Sequence, residues 1–308
     1  MNSRISNSES KKISKASALR ELIYAPGILV MPGVFDCYST RLVQASGFTA
    51  GFISGGGLSE SRLGWSDVGL LGYEENLNAS RNMVACTELP LLADADTGYG
   101  NAVNVHFTVR GFETAGVAGI MLEDQSWPKR CGHMSGKQVI SAEEATEKIK
   151  AAADARQDPD FIIKARTDAL ATHGIAEVIH RLNLYAEAGA DLLFADALLD
   201  VADISTVVNS VTKPVCVNMG FGIRPRSTTP LLSARQLEDL GVAVVIYPRL
   251  LTAAALQGMT NAVDALKESL KLPQATIRPD LLFSFEQINA LTGFDALREL
   301  EKKYVPGV

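Results

Sequence analysis

The sequence is poor in the features that mark several classes of protein. It has only four cysteines in 308 residues, widely spaced and without a C-x-x-C pair, which excludes a disulfide framework and favours a reduced, intracellular chain. No apolar run approaches the roughly 18 residues that cross a bilayer, and the start of the chain lacks the apolar stretch of a secretory signal. We therefore predict a cytoplasmic protein with no membrane partner, and the Ser- and Lys-rich start leaves an organelle-targeting signal open.

Basic charge is also scarce. The 29 Lys and Arg residues are outnumbered by 35 Asp and Glu residues, which gives a net charge of −6 and a pI near 5.4. A nucleic-acid partner is not expected, because such proteins normally carry a basic face, whereas a few local arginines are enough to bind a small anion. Because 47% of the residues are hydrophobic, the chain can offset the entropy of ordering and is globular rather than disordered.

One pattern recurs along most of the chain. A helical stretch ends in Gly, a short apolar run follows, and a polar or acidic residue closes the run. Gly suits the left-handed position just past a helix, and a continuous apolar run suits a strand that is covered on both faces. The clearest copies lie around Gly47, Gly116, Gly189 and Gly241, and further apolar runs occupy 28–34, 89–93, 161–165 and 214–218.

These runs amount to eight strands alternating with helices, which predicts an α/β fold of the (β/α)8 TIM-barrel type. An open doubly wound sheet is the alternative, and it is less favoured because no G-x-G-x-x-G follows the first strand. We predict a flexible tail over 1–16, the barrel over 17–272 and a helical extension over 273–308. The extension has no strand after it, so its apolar residues need another surface, such as a neighbouring subunit.

Acidic residues close several of the predicted strands, and in a barrel of this type the strand ends form the active-site rim. Crowded carboxylates repel one another unless a cation lies among them. Asp94, Asp96 and Glu123 therefore predict a site for Mg²⁺ or Mn²⁺, which prefer oxygen ligands. The alternative for any single aspartate is that it caps a helix. The closing residues are Asp36, Ser54, Asp94, Asp96, Glu123, Asp124, Arg166, Asp168, Asp196, Asn218 and Pro248.

The segment Lys129-Arg130-Cys131-Gly132-His133 follows the fourth predicted strand. Neighbouring positive charge makes a thiol a competent proton donor or nucleophile near neutral pH. Cys131 is therefore a candidate catalytic residue, the alternative being an incidental cysteine in a basic loop. A zinc site is not predicted, because Cys and His partners at ligand spacing are lacking.

Two other features predict binding of a carboxylate. The run Ser54-Gly55-Gly56-Gly57 offers backbone N–H groups beside a hydroxyl, although a plain loop has the same composition. Arg166 at the end of the fifth strand can clamp a carboxylate with two hydrogen bonds, or else pair internally with a rim carboxylate. A small carboxylate is thus the expected substrate.

Taken together, these motifs resemble the isocitrate lyase / phosphoenolpyruvate mutase superfamily. With its cysteine in the loop after the fourth strand, the sequence resembles the carbon–carbon lyase branch of that superfamily, which includes 2-methylisocitrate lyase and 2,3-dimethylmalate lyase. The matching segments are PGVFDCYSTRL (32–42), SGGG (54–57), ADADTGYGN (93–101), LEDQ (122–125), KRCGH (129–133), ARTDA (165–169) and LTGFDALRELEKKY (291–304).

The resemblance implies a role for each matching residue. Asp94 would bind Mg²⁺ directly, with Asp67, Asp96 and Glu123 holding its water ligands. Cys131 would be the general acid on a gating loop that closes over the substrate. Asp67, Arg166 and His133 are placed with Cys131 in catalysis, and the substrate-binding set is Ser54, Gly55, Gly56, Gly132, Arg166 and Asn218. The family also implies a homotetramer that exchanges its last helices.

The implied reaction is retro-aldol cleavage of a 2-hydroxy di- or tricarboxylate to a 2-oxo acid and a carboxylate. Two alternatives remain open, namely an oxaloacetate hydrolase or decarboxylase of the same superfamily and a barrel that only binds dicarboxylates. Departures from the lyase pattern bear on the substrate: Phe52 replaces a Tyr, Ala195-Asp196 replaces Pro-Glu, and the loop after Asn218 is longer and carries Arg224 and Arg226. Fungal oxaloacetate hydrolases have Ser where this chain has Pro248, which disfavours that activity.

Overall fold

Eight short strands pair side by side in chain order, all parallel, and close into a barrel. The closing pairing joins the first and last strands, with Leu29 opposite Val244 and Pro32 opposite Tyr247. This confirms the predicted (β/α)8 fold and excludes the open doubly wound sheet. The computed structural model describes residues 13–132, 134–226 and 228–306.

The strands are β1 (Leu29–Val34), β2 (Gly51–Ile53), β3 (Leu91–Asp94), β4 (Gly119–Glu123), β5 (Ile162–Thr167), β6 (Leu192–Ala195), β7 (Val215–Asn218) and β8 (Val244–Tyr247). The helices are α1 (Lys15–Tyr24), α2 (Cys37–Ala45), α3 (Gly55–Leu58), α4 (Tyr73–Ala85), α5 (Ala102–Thr114), α6 (Ala142–Ala155), α7 (Leu170–Glu187), α8 (Val201–Ser210), α9 (Ala234–Asp239), α10 (Leu250–Ser269), α11 (Phe285–Thr292) and α12 (Phe294–Tyr304). A π-helical turn over Ser59–Leu63 continues α3. None of the helices in the described ranges is long and apolar enough to cross a membrane.

The strands are mostly apolar because both of their faces are buried, and most of their polar residues stand at or near the carboxyl ends. One face packs on the surrounding helices and the other fills the barrel. The barrel interior is closed at its lower end by α1, whose Leu19 and Ile23 are buried in the same cluster as Met31 and Phe52. The interior is therefore solid from below, and space remains only where the strands end.

The C-terminal extension forms two short helices, where the sequence predicted one. The break falls at Gly293, whose φ of 79° lies in the left-handed region that ends α11. The Arg41 guanidinium on α2 donates to the Leu291 carbonyl at 3.3 Å, which ties α11 to the barrel. Along α12, Phe294, Leu297, Leu300 and Tyr304 are exposed.

Two glycines test how tightly the barrel is packed. A Cβ added at Gly119 on β4 would lie 2.5 Å from the Ile162 carbonyl oxygen on β5, so Gly119→Ala must push two paired strands apart. We expect it to lower the free energy of unfolding by about 1–3 kcal/mol, as overpacked cores do. Gly258→Ala on α10 is the matched control, because a Cβ there meets nothing within 4 Å. It should stabilise the helix by up to about 1 kcal/mol.

Urea unfolding of both variants measures these changes. Equal stability of Gly119→Ala and the parent protein would contradict the close approach of β4 and β5.

Candidate active site

A cavity opens among the carboxyl ends of the strands. Most of the residues predicted for the site line it: Ser54, Gly56, Asp67, Asp94, Cys131, Gly132, Arg166 and Asn218. Gly55, Asp96 and Glu123 are buried beside this wall rather than in it. His133, which the sequence placed in catalysis, lies outside the described residues.

The end of β3 forms the acidic part of the cavity. The Asp94 carboxylate is 7% exposed, and its Oδ1 accepts the Asp96 backbone N–H at 3.1 Å. Asp96 has a φ of 49°, so the chain turns sharply and brings the two carboxylates together. A Cβ at Gly55 would lie 2.8 Å from Asp94 Oδ2, which leaves glycine as the residue that fits beside this carboxylate.

Lys129 occupies the centre of the acidic cluster. Its Nζ lies 2.6 Å from Asp67 Oδ1 and 2.7 Å from Asp96 Oδ1. Burial lowers the pKa of Lys129, but the surrounding carboxylates, with Asp96 and Asp67 foremost, raise the pKa well above its usual value. The sequence had suggested that Lys129 acts on the thiol of Cys131. In the structure the Lys129 ammonium instead forms ion pairs with Asp67 and Asp96, because two carboxylates attract it more strongly than one thiol does.

The cluster still has more negative charge than its cations balance. Burial raises the pKa of Asp96 to about 7 against the lowering effect of Lys129, with Asp94 and Asp67 adding to the rise. Burial also raises the pKa of Glu123 well above its usual range, although Arg166 and Lys129 oppose it. Glu123 Oε1 is buried and accepts no hydrogen bond from the described part of the chain.

These observations test whether the residues suit a divalent cation. Asp94 faces the cavity, Glu123 has an unused buried oxygen, and all the donors are carboxylates, which is the set that Mg²⁺ prefers. In this conformation Lys129 pairs with Asp67 and Asp96, and no three acidic, thiol or imidazole groups of residues 13–132, 134–226 and 228–306 converge as metal ligands. The carboxylate chemistry of the cluster therefore fits the cation.

Arg166 makes the internal ion pairs that were the alternative to a substrate clamp. Its Nε and Nη2 donate to Asp168 at 2.8 and 2.9 Å, Nη2 also contacts Asp196 at 3.1 Å, and Nη1 lies 3.1 Å from Glu123. The Lys137 ammonium holds Asp168 from the other side at 2.7 Å. Arg166 therefore joins β4, β5 and β6 at the rim while one edge of it still lines the cavity.

The cation beside Cys131 is one that the sequence analysis missed. Arg249 Nη2 lies 3.7 Å from the Cys131 sulfur, and its Nη1 pairs with Glu60. Arg130 turns away and donates to the Ser135 carbonyl at 3.1 Å. The sequence does contain a signal for Arg249. It directly follows Pro248, the last of the strand-closing residues, and a residue at that position also reaches the rim.

Ser54 has a more local role than the Gly-rich run suggested. Its Oγ accepts the Gly57 N–H at 3.1 Å and so caps α3, which takes the Gly57 N–H, and not the Ser54 hydroxyl, out of the expected set of anion donors. The N–H groups of Gly55 and Gly56 are in the first turn, where a helix offers them no partner of its own. A Cβ at Gly56 would lie 3.1 Å from both Asp67 Oδ2 and Arg249 Nη2, so the cavity wall is tight here.

The longer loop after β7 sends one arginine into the cavity. Arg226 lines it and donates to the Asn218 carbonyl, whereas Arg224 is exposed. Asp36 and Asp124 have structural roles, as the helix-cap alternative allowed. Asp36 caps α2, and Asp124 is held by Thr167 at 2.6 Å.

Comparison with known proteins agrees with this geometry. A family model described as phosphoenolpyruvate phosphomutase matches residues 19–267. The chain is 40% identical over 296 residues to the 2,3-dimethylmalate lyase of Eubacterium barkeri, which covers 96% of this chain and 100% of that enzyme.

Two solved structures have the same fold. An oxaloacetate acetylhydrolase in complex with 3,3-difluorooxalacetate superposes with a TM-score of 0.87 at 29% identity, covering 94% of this chain and 97% of that one. A phosphonopyruvate hydrolase in complex with oxalate and Mg²⁺ has a TM-score of 0.81 at 28% identity, covering 95% and 99%. The chain belongs to the phosphoenolpyruvate mutase/isocitrate lyase superfamily, and its lyase relative supports a carbon–carbon lyase activity.

Proposed function

We propose that the protein cleaves a 2-hydroxy di- or tricarboxylate, of the alkylmalate or methylisocitrate type, into a 2-oxo acid and a second carboxylate. The observation that carries this proposal is that Cys131 and Asp94 line one cavity. The loop that bears the thiol is held there, since the Cys131 N–H donates to the Asp67 carbonyl at 3.0 Å. In this proposal the thiol and the oxo-acid site share this cavity.

We propose separate roles for the residues that bind the substrate, hold the cation and accept the proton. The N–H groups of Gly55 and Gly56, with the Ser54 hydroxyl, bind the carboxylate of the 2-oxo-acid half. Asp94 and Glu123 would hold Mg²⁺, which supplies Lewis-acid polarisation of the 2-oxygen when it is bound. Asp67 is the acceptor that we propose for the hydroxyl proton, because its carboxylate lines the cavity.

Cys131 completes the reaction. Loss of the hydroxyl proton forms the C=O bond of the 2-oxo acid, and the C2–C3 electron pair leaves on the second carboxylate fragment. The Cys131 thiol gives its proton to that carbanion, and the nearby Arg249 guanidinium stabilises the thiolate that remains. The closed loop keeps bulk water from the carbanion.

Hydrolysis of oxaloacetate is the second candidate, favoured by the likeness to oxaloacetate acetylhydrolase. That reaction needs a positioned water, and the cavity wall has Pro248, with no hydroxyl, where the fungal hydrolases have Ser. A barrel that only binds dicarboxylates would have no use for a thiol within the cavity. Both are therefore less well supported than the lyase.

The substrate class is tested with purified protein and methylisocitrate, 2,3-dimethylmalate, isocitrate and oxaloacetate. We expect 2-oxo-acid release from one of the first two acids, lost on addition of EDTA and restored by Mg²⁺, because the carboxylate cluster suits that cation. A coupled dehydrogenase assay measures the product. Turnover of oxaloacetate alone supports the second candidate, and turnover of none of the four contradicts the lyase.

Cys131→Ser tests the proton donor. A hydroxyl is a far poorer acid than a thiol, so turnover should fall by about 10²–10⁴-fold, whereas Mg²⁺ binding measured by calorimetry should be unchanged. Cys86→Ser is the control, because Cys86 ends α4 and does not line the cavity. A Cys131→Ser enzyme with near-normal rate would remove Cys131 from the mechanism.

We also propose a homotetramer in which the last helix, α12, packs against a neighbouring subunit. The exposed apolar side of α12 supports it, since Phe294, Leu297, Leu300 and Tyr304 need cover. Light scattering should give four times the 33.0 kDa of the chain. Leu297→Asp with Leu300→Asp should yield smaller species, whereas Glu301→Gln, on an exposed residue of the same helix, should not. A monomeric parent protein would contradict the proposal.

A further inference from the structure

A buried lysine beneath the cavity has no role in the reaction as proposed. Lys164 lies on β5, its side chain is 0% exposed, and its Nζ makes no hydrogen bond within the described part of the chain. Other buried lysines of the site are paired, since Lys129 contacts Asp67 and Lys137 contacts Asp168. A buried ammonium without a carboxylate is costly, so its position calls for an explanation.

Aromatic rings and a thiol surround this ammonium. Lys164 Nζ lies 4.9 Å from the centre of the Phe52 ring and 4.5 Å from that of Phe194, within the range of cation–π attraction. Burial raises the pKa of the Cys216 thiol, against the lowering effect of Lys164. Cys216 thus stays neutral and supplies no compensating anion.

The same two rings line the substrate cavity. Lys164 therefore lies below the cavity floor, with an aromatic ring between its charge and whatever binds above. Phe52 is two residues before Ser54, and Lys164 is two residues before Arg166, and both Ser54 and Arg166 line the same cavity. A charge acts more strongly across a packed protein interior than across water, because the interior has a lower polarity.

We propose that Lys164 is a positioning residue that acts through the rings of Phe52 and Phe194 to favour dianionic over monoanionic ligands in the cavity. The inference rests on the proposed function, because it concerns the 2-oxo-acid half of that substrate. The bound dianion is the counter-charge that the ammonium lacks in the barrel core. The expected preference is for substrates that carry at least two carboxylates.

Oxalate and oxamate test the proposal, because the two have nearly the same shape and differ by one negative charge. Their dissociation constants are measured by calorimetry at saturating Mg²⁺ for the parent protein and for Lys164→Met, a neutral side chain of similar length. Coulomb energy is proportional to ligand charge. If oxalate affinity falls about tenfold, oxamate affinity should fall only about threefold. With the substrate, KM should rise more than kcat falls.

Thermal unfolding separates this effect from damage to the fold. Lys164→Met should be at least as stable as the parent protein, because an uncompensated charge leaves the core. Lys164→Leu serves if the first variant does not fold. Cys216→Ala is the control, since it alters packing next to the ammonium and keeps the charge, and its ratio of oxalate to oxamate affinity should not change.

Equal losses of oxalate and oxamate affinity, or no loss of either, would overturn the role of Lys164. The proposed function fails separately if the parent protein neither binds oxalate nor releases a 2-oxo acid from any acid in the panel, and the inference then falls with it.

Discussion

One ammonium group joins the acidic cluster to the loop that carries the thiol. Lys129 lies between Asp67 and Asp96, and the loop that it anchors carries Cys131 into the cavity. A buried ion pair contributes modestly to stability, but loss of one partner leaves a buried charge uncompensated. The aspartates therefore constrain the loop strongly. These ion pairs, with the hydrogen bond from the Cys131 N–H to the Asp67 carbonyl, hold the thiol at the cavity.

The fold was predictable because the barrel repeats one local rule. Most strand residues are apolar, and five of the eight strands follow a glycine with positive φ, as at Gly47 and Gly116. Both signals are visible in a single sequence. Individual bounds were less accurate: the third strand was placed over 89–93 and covers Leu91–Asp94. The break in the C-terminal helix at Gly293 was missed, because helical spacing of apolar residues continues on both sides of it.

The site was predictable where chemistry shows in the local sequence. Asp94 and Asn218 were found because they close strands, Cys131 because basic residues flank it, and all three line the cavity. Partners that meet only in the folded chain were not found. Arg249 reaches Cys131 across 118 positions of sequence, and Lys129 contacts aspartates rather than its neighbouring thiol. The spacing of residues along the sequence predicts which side chains reach the rim of the barrel. Which of them form ion pairs depends on the competition among the charges that meet there.

In the proposed mechanism the loop that bears Cys131 closes over the cavity and brings the thiol to the bound 2-oxo acid. A crystal structure of the protein with Mg²⁺ and oxalate tests it most directly. We expect the cation beside Asp94, oxalate against the Gly55–Gly56 segment, and the Cys131 sulfur facing the ligand with the loop closed. A structure in which oxalate binds away from Asp94, or in which the closed loop turns Cys131 away from the ligand, would contradict the account.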